Sequence, residues 1–172
     1  MHACVPRILS VGTSVPDNYY TQQDILDLFR VDNPVVRKIF SASHIKGRHL
    51  YVPEPNEQGE PTETQTELLA KHRKGAMELG KKAIDKALSK IGACAADVDM
   101  LCCISSTGFM LPGLTAMFIK HFGFRVNCHR MDLLGMGCNA GLNGLNPVTS
   151  WVKSNPSKLA LMVCCEITQI SR

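Results

Sequence analysis

The chain has 172 residues, 45% of them hydrophobic and 20% charged, which suffices for one globular domain with a sizeable core and shows no sign of disorder outside one short stretch. Its formal charge of +4 is mild and its lysines are not interleaved with aromatics, which argues against nucleic acid and leaves a small anionic ligand compatible. No apolar run approaches membrane-spanning length and no basic, apolar leader opens the sequence, so the expectation is a cytoplasmic protein with no membrane anchor.

In chain order, residues 7–15 read as a first short strand, stopped by Pro16, Asp17 and Asn18. Thr21 and Asp24 have capping-box spacing ahead of an amphipathic helix with Ile25, Leu26, Leu28 and Phe29 on its apolar side. Pro34 then opens a second short helix carrying Val35, Val36, Ile39 and Phe40. Residues 45–52 alternate basic and apolar side chains, which suits an exposed strand or hairpin. The Pro-, Glu- and Gly-rich residues 53–64 read as a surface loop open to proteolysis.

The longest predicted helix covers residues 65–91, with Leu69, Ala76, Met77, Ala83, Ile84, Ala87, Leu88 and Ile91 near the helical period and Gly92 as its stop. Gly80 falls on the same stripe and admits a close neighbour. Lys71, Lys74, Lys81, Lys82, Lys86 and Lys90 fit a solvated face better than a ligand patch, and Glu78 stands one turn from both Lys74 and Lys82. Residues 98–106 follow as a buried strand, 107–113 as a loop, and 114–122 as a short helix. A further strand over 126–134 leads to a small-residue helix over 140–153 that Pro147 kinks. Residues 158–167 form a near-continuous apolar run, the pattern of an interior strand. Strand and helix alternate in an order that predicts an α/β layered fold with parallel pairings.

Eight cysteines do not make a disulfide framework here, because Cys102-Cys103 and Cys164-Cys165 are adjacent pairs in strand-like runs whose side chains point to opposite faces. Neither pair can chelate as a CxxC would, and Cys128 with His129 lacks a second ligand pair, so no metal is expected. Cys138 is different. It lies in Gly135-Met136-Gly137-Cys138-Asn139-Ala140-Gly141-Leu142-Asn143-Gly144, between a predicted strand and a predicted helix. A thiol at a helix N-terminus meets unpaired backbone N–H groups and the positive end of the helix dipole, which favour thiolate and can stabilise an oxyanion on an acylated sulfur. The glycines run one residue longer than the dinucleotide fingerprint, and no acidic residue ends a strand about twenty residues on, so a dinucleotide turn is disfavoured. Chemistry alone leaves two readings open: a nucleophile, or a packed structural cysteine.

Residues 131–141, Met-Asp-Leu-Leu-Gly-Met-Gly-Cys-Asn-Ala-Gly, resemble the active-site cysteine segment of type III polyketide synthases, chalcone synthase-like members of the thiolase superfamily. The likeness extends in order to residues 45–51, to Ser105-Ser106-Thr107-Gly108 with Leu111-Pro112-Gly113, and to residues 161–167. Gly-Met-Gly-Cys-Asn-Ala-Gly-Leu-Asn and Ser-Thr-Gly-Phe most resemble the bacterial dihydroxyphenylacetyl-CoA synthase branch.

The resemblance implies a thiolase-like layered fold, a mixed sheet with helices on both faces, of which residues 1–172 would be the N-terminal half. It implies acyl transfer from acyl-CoA or malonyl-CoA to Cys138, decarboxylative Claisen condensation with malonyl-CoA, and cyclisation, with coenzyme A thioesters as substrates and no separate cofactor. By position, Lys38 would lie near the coenzyme A phosphates, with Arg37, Lys46 and Arg48 as weaker candidates. An ordinary solvated role competes for each of these four. Ser106 and Thr107 would line the cavity near the thiol, and Leu111 would be a wall residue on a loop reaching across a homodimer. Ordinary backbone hydrogen bonding and loop packing are the competing roles for these three.

The family's catalytic histidine and asparagine belong to a C-terminal half without counterpart here. His2, His44, His49, His72, His121 and His129 all read as surface or structural. The chain alone is therefore expected to be inactive and to need its own C-terminal half. A non-catalytic acyl-CoA-binding half-module, or a relative of ketoacyl synthase III or hydroxymethylglutaryl-CoA synthase, is the alternative.

Overall fold

The computed structural model describes residues 5–52 and 63–167. These fall into two units, one made of residues 5–14 with Leu69–Ile167, the other of residues 15–52 with 63–68. Most of the surface loop expected over 53–64 lies outside the described residues.

The smaller unit is built on an antiparallel pair. β1 (Tyr19–Thr21) runs against β2 (Gly47–His49) in the register Tyr19 to His49 and Thr21 to Gly47. Between them lie α1 (Gln22–Leu28) and α2 (Pro34–Ala42). The expected capping box is present: the Thr21 hydroxyl accepts the Asp24 amide at 3.1 Å, and the Asp24 carboxylate accepts the Thr21 amide at 2.7 Å. The Asn33 side chain caps α2 by accepting the amides of Val35 and Val36, with Pro34 at the first helical position. Ile25, Phe29 and Leu50 are buried together, and Tyr20, Leu28, Val31, Phe40 and Val52 close around them.

In the larger unit, which takes α3 (Gln65–Ser89) from Leu69 onward, that helix is followed by a 3-10 turn at Ala95–Asp97, β3 (Met100–Ser105), α4 (Leu114–Phe122), β4 (His129–Leu134), a 3-10 turn at Gly137–Asn139, α5 (Ala140–Ser154) and β5 (Ala160–Cys164). β3 lies between β4 and β5 and runs parallel to both. All six of its residues are buried, so its hydrogen bonds are shielded on both edges and its side chains on both faces. Met100, Cys102 and Ile104 point to the face covered by α5, where they pack with Ala140, Val148 and Trp151. On the opposite face Ser105 meets His72 of α3, and Asp132, level with Cys103, meets Thr115 of α4. Helices thus cover both faces, and the adjacent Cys102 and Cys103 are divided between them as strand alternation requires.

Two expectations fail. Residues 7–15 form no strand. Residues 10–13 instead lie along α3: the Ser10 hydroxyl donates to the Ala87 carbonyl, and Lys90 and Lys86 donate to the carbonyls of Val11 and Thr13. The last strand is also shorter than its apolar run and lies at an edge of the sheet among the described residues, with β3 taking the interior place. Apolar content alone does not distinguish an edge strand from a central one.

Two lysines of α3 are engaged locally, Lys81 with Asp85 and Lys82 with Glu78, as on a solvated face. Gly80 lets the Phe118 ring of α4 approach closely; a Cβ there would come within 2.7 Å of it. No helix among the described residues is long and apolar enough to cross a membrane.

Candidate active site

The segment from β4 to α5 turns on two glycines. Gly135 and Gly137 adopt φ values of +70° and +64°, a region that residues with a Cβ rarely enter, and between them the chain reverses from strand into helix. Cys138 stands in the middle of the 3-10 turn at the head of α5, and its side chain is exposed. Four other cysteines are buried: burial pushes Cys102 up to about 11 and Cys165 up to about 12, and raises Cys103 and Cys128 as well.

Two of the backbone N–H groups expected to face an oxyanion are already engaged. The Gly137 amide donates to the Ser106 hydroxyl at 2.9 Å, and the Ala140 amide donates to the Gly137 carbonyl. The first of these ties the cysteine turn to the end of β3. Ser106 is therefore next to the cysteine segment, and its hydroxyl holds the turn.

Thr107, the next residue, is committed inward. Its hydroxyl donates to Glu166 at 2.8 Å and accepts the Ile167 amide at 3.0 Å. The Glu166 carboxylate, just past β5, also accepts the amides of Ser106 (2.7 and 2.9 Å) and Thr107 (3.0 Å). A carboxylate receiving this many donors is bound in one orientation and locks the ends of β3 and β5 together. Sequence reasoning placed Glu166 in a matching segment but gave it no task. A lone acidic residue after a strand carries no signal until parallel pairing sets it beside the β3 turn.

Leu111 projects from the loop between β3 and α4 with its side chain fully exposed, 101% by relative area, and a cis peptide joins it to Pro112. The loop's far end is anchored by Asp132, which accepts the Thr115 amide at 3.1 Å and the Thr115 hydroxyl. Lys38 lies exposed on α2 in the smaller unit. Of its neighbours, Arg37 is tied to the Val31 carbonyl and Asp27, and Arg48 to Gln22 and the Phe40 ring. Ser106, Thr107 and Cys138 are thus brought together, whereas Lys38 belongs to the other unit. No cluster of three or more His, Cys, Asp or Glu side chains able to hold a metal occurs among the described residues.

Comparison with known proteins matches this geometry to one family. The family model described as FAE1/Type III polyketide synthase-like protein covers residues 13–172. The 3,5-dihydroxyphenylacetyl-CoA synthase of Streptomyces toyocaensis is 44% identical over 162 residues, which is 94% of this chain and 42% of that protein. The enzyme of the same name from Amycolatopsis orientalis is 41% identical over 163 residues, 94% of this chain and 44% of the relative. Among solved structures, PKS-I from the brown alga Ectocarpus siliculosus superposes with a TM-score of 0.88 at 27% identity, over 95% of this chain and 48% of that one. The chain spans a little under half the length of these curated relatives. The fold is accordingly the α/β thiolase-like layered fold expected from the sequence. On the match of the family model over nearly its whole length, this chain belongs to the FAE1/type III polyketide synthase-like family.

Proposed function

We propose that this chain is the N-terminal half of a type III polyketide synthase in which Cys138 is the acyl-carrying nucleophile. The observation that carries the reading is an exposed thiol in a glycine-bounded turn at the head of α5, held from below by Ser106. In the first step the Cys138 thiolate attacks the carbonyl carbon of an acyl-CoA or malonyl-CoA thioester. The coenzyme A thiolate leaves and takes up a proton. Loss of carbon dioxide from malonyl-CoA then leaves an enolate, whose carbon displaces the cysteine sulfur from the acyl group. Each such step lengthens the chain by two carbons before cyclisation to an aromatic or pyrone product. The names of the relatives favour a dihydroxyphenylacetyl-CoA-like product.

Within this reading Lys38 contributes positive charge for the coenzyme A phosphates, Ser106 and Thr107 border the thiol, and Leu111 supplies cavity wall in a homodimer. The groups that stabilise the enolate belong to the C-terminal half, which makes that half the first partner. Leu142 is 72% exposed, and Leu134, Met136 and Leu145 are exposed beside the same turn, an apolar margin that suits a covering partner. A cytoplasmic setting, where thiols stay reduced and acyl-CoA is available, completes the proposal.

The test is to incubate the full-length protein with malonyl-CoA and follow product and enzyme by mass spectrometry. An acyl adduct on Cys138 and release of a polyketide are expected, both lost in Cys138→Ala, and residues 1–172 alone are expected to release none. Product formation by Cys138→Ala would overturn the assignment, and acylation without any condensed product would favour an acyl-binding module.

A further inference from the structure

His72 lies on α3, far in sequence from the cysteine segment, and is fully buried at 0% exposure. A buried imidazole must satisfy both ring nitrogens. Here Nε2 is 3.3 Å from the Ser105 hydroxyl and Nδ1 is 3.2 Å from the Thr107 hydroxyl. The direction of these bonds follows from their surroundings. Thr107 has one hydroxyl proton, and the Glu166 carboxylate, which can only accept, takes it. Toward Nδ1 the Thr107 oxygen is therefore an acceptor, so Nδ1 carries the ring proton. Nε2 is then the acceptor and receives the Ser105 hydroxyl proton. The result is a one-way chain from Ser105 through His72 and Thr107 to Glu166. Burial, opposed by the nearby Glu166 charge, lowers the pKa of His72, in keeping with a neutral ring.

Space around the ring is arranged for it. A Cβ at Gly108 would come within 2.2 Å of His72 Cδ2 and 2.6 Å of Nε2, so the residue after Thr107 is one that lets the imidazole lie flat against the turn. The turn is then pinned from two sides, by Glu166 through the amides of Ser106 and Thr107 and by His72 through the Thr107 hydroxyl. From that turn the Ser106 hydroxyl takes the Gly137 amide, one residue before Cys138.

We propose that His72 is a positioning residue for Cys138: its Nδ1–H fixes the Thr107 hydroxyl on Glu166, and so holds the Ser106 hydroxyl where it anchors the cysteine turn. As a claim about catalysis this rests on the polyketide synthase reading above. The role is distinct from filling space, since phenylalanine would occupy the volume and leave Thr107 undirected. Asparagine, whose side-chain NH2 reaches the Nδ1 position, would keep the bond to Thr107 while giving up volume.

The experiment uses the full-length protein with His72→Phe and His72→Asn, each checked by thermal melting, and reads two quantities. One is the rate of Cys138 alkylation by iodoacetamide at neutral pH; the other is kcat and KM with malonyl-CoA. In H72F alkylation is expected to slow and kcat to fall by about tenfold, with KM unchanged within about twofold, because misplacement of the thiol affects the reacting geometry and not substrate binding. In H72N both quantities are expected to return to within about threefold of the unsubstituted protein. A folded H72F with unaltered alkylation and kcat, or an H72N as impaired as H72F, overturns the proposal. Should H72F fail to fold, Thr107→Val takes its place: slowed alkylation in T107V beside near-normal alkylation in H72N supports the proposal, and any other pattern overturns it. Alkylation does not depend on polyketide formation. If the unsubstituted protein turns over no malonyl-CoA, the functional reading fails while the alkylation comparison still decides the role of His72.

Discussion

At the scale of single residues, burial separates the Cys138 thiol from Cys102, Cys103, Cys128 and Cys165. Cys102 and Cys165 are pushed up to about 11 and about 12 by burial, which keeps both protonated near neutral pH, whereas Cys138 is exposed. Iodoacetamide at pH 7 is therefore expected to label Cys138 ahead of the buried Cys102, Cys103, Cys128 and Cys165, as peptide mass mapping of a time course would reveal. Labelling of a buried cysteine first would contradict the assignment. Ser106 deserves the companion substitution. Ser106→Ala removes the acceptor of the Gly137 amide and is expected to cost roughly 1 kcal/mol, measured by denaturant unfolding of the full-length protein, and to slow Cys138 labelling.

Secondary-structure elements are joined here by carboxylates at strand ends. Asp99, just before β3, accepts the Leu159 amide (3.0 Å), the Arg125 guanidinium (2.7 Å) and the Lys158 ammonium (3.0 Å), so it gathers the starts of all three strands. The Leu159 amide first, then Arg125 and Lys158, hold its carboxyl at about 2 in place of the ordinary 3.8. A carboxyl depressed on folding contributes stability that is complete above the ordinary value and is lost as pH falls toward 2. Asp99→Asn is expected to lower stability on the order of 2 kcal/mol at pH 7, with the deficit shrinking between about pH 5 and pH 2. Unfolding curves at a series of pH values check this, and a deficit independent of pH would rule out the ionic origin. Asp132 plays the matching part for α4, whose first turn begins at a glycine with no capping side chain of its own. Asp132→Ala is expected to cost about 1 kcal/mol and to loosen the Leu111 loop, readable as faster amide exchange over residues 109–116.

For the whole molecule, the described surface carries more apolar side chains than an isolated domain needs. Ile8 is 78% exposed, and Val5, Leu9 and Val11 beside it, with Leu134, Met136, Leu142 and Leu145 near the thiol, are exposed too. The relatives continue for more than their own half beyond what this chain matches. Residues 1–172 produced alone are expected to bind an apolar dye such as ANS and to self-associate, whereas the full-length protein is expected to do neither. A dye-silent, monomeric 172-residue chain would refute the idea that a second half covers these residues.

Some of this was readable in advance and some was not, for reasons visible in particular elements. The capping box of α1 and Pro34 at the start of α2 follow from residues acting on their own backbone within four residues, so they were legible. Residues 7–15 read as a strand yet form none, because which distant segment a stretch of chain lies against is not written in its own residues, and residues 10–13 lie along α3. The 158–167 run read as an interior strand and lies at an edge among the described residues, because apolar content does not distinguish the two. His72 read as a structural histidine in the sequence; its partners Ser105 and Thr107 lie 33 and 35 residues away, and Glu166, which holds Thr107, lies a further 59 residues on.

By itself, then, the sequence determined the local grammar: where helices start, which glycines allow the turn, and which cysteine stands at a strand-to-helix junction in a motif specific enough to mark a family. Only the tertiary structure decided which strand is central, that Ser106 anchors the Gly137 amide, and that Glu166 and His72 brace the turn beneath Cys138. The division is physical. Caps and turns are satisfied by near neighbours in the chain, whereas strand order and buried hydrogen-bond networks are set by which distant segments must share the same dry interior.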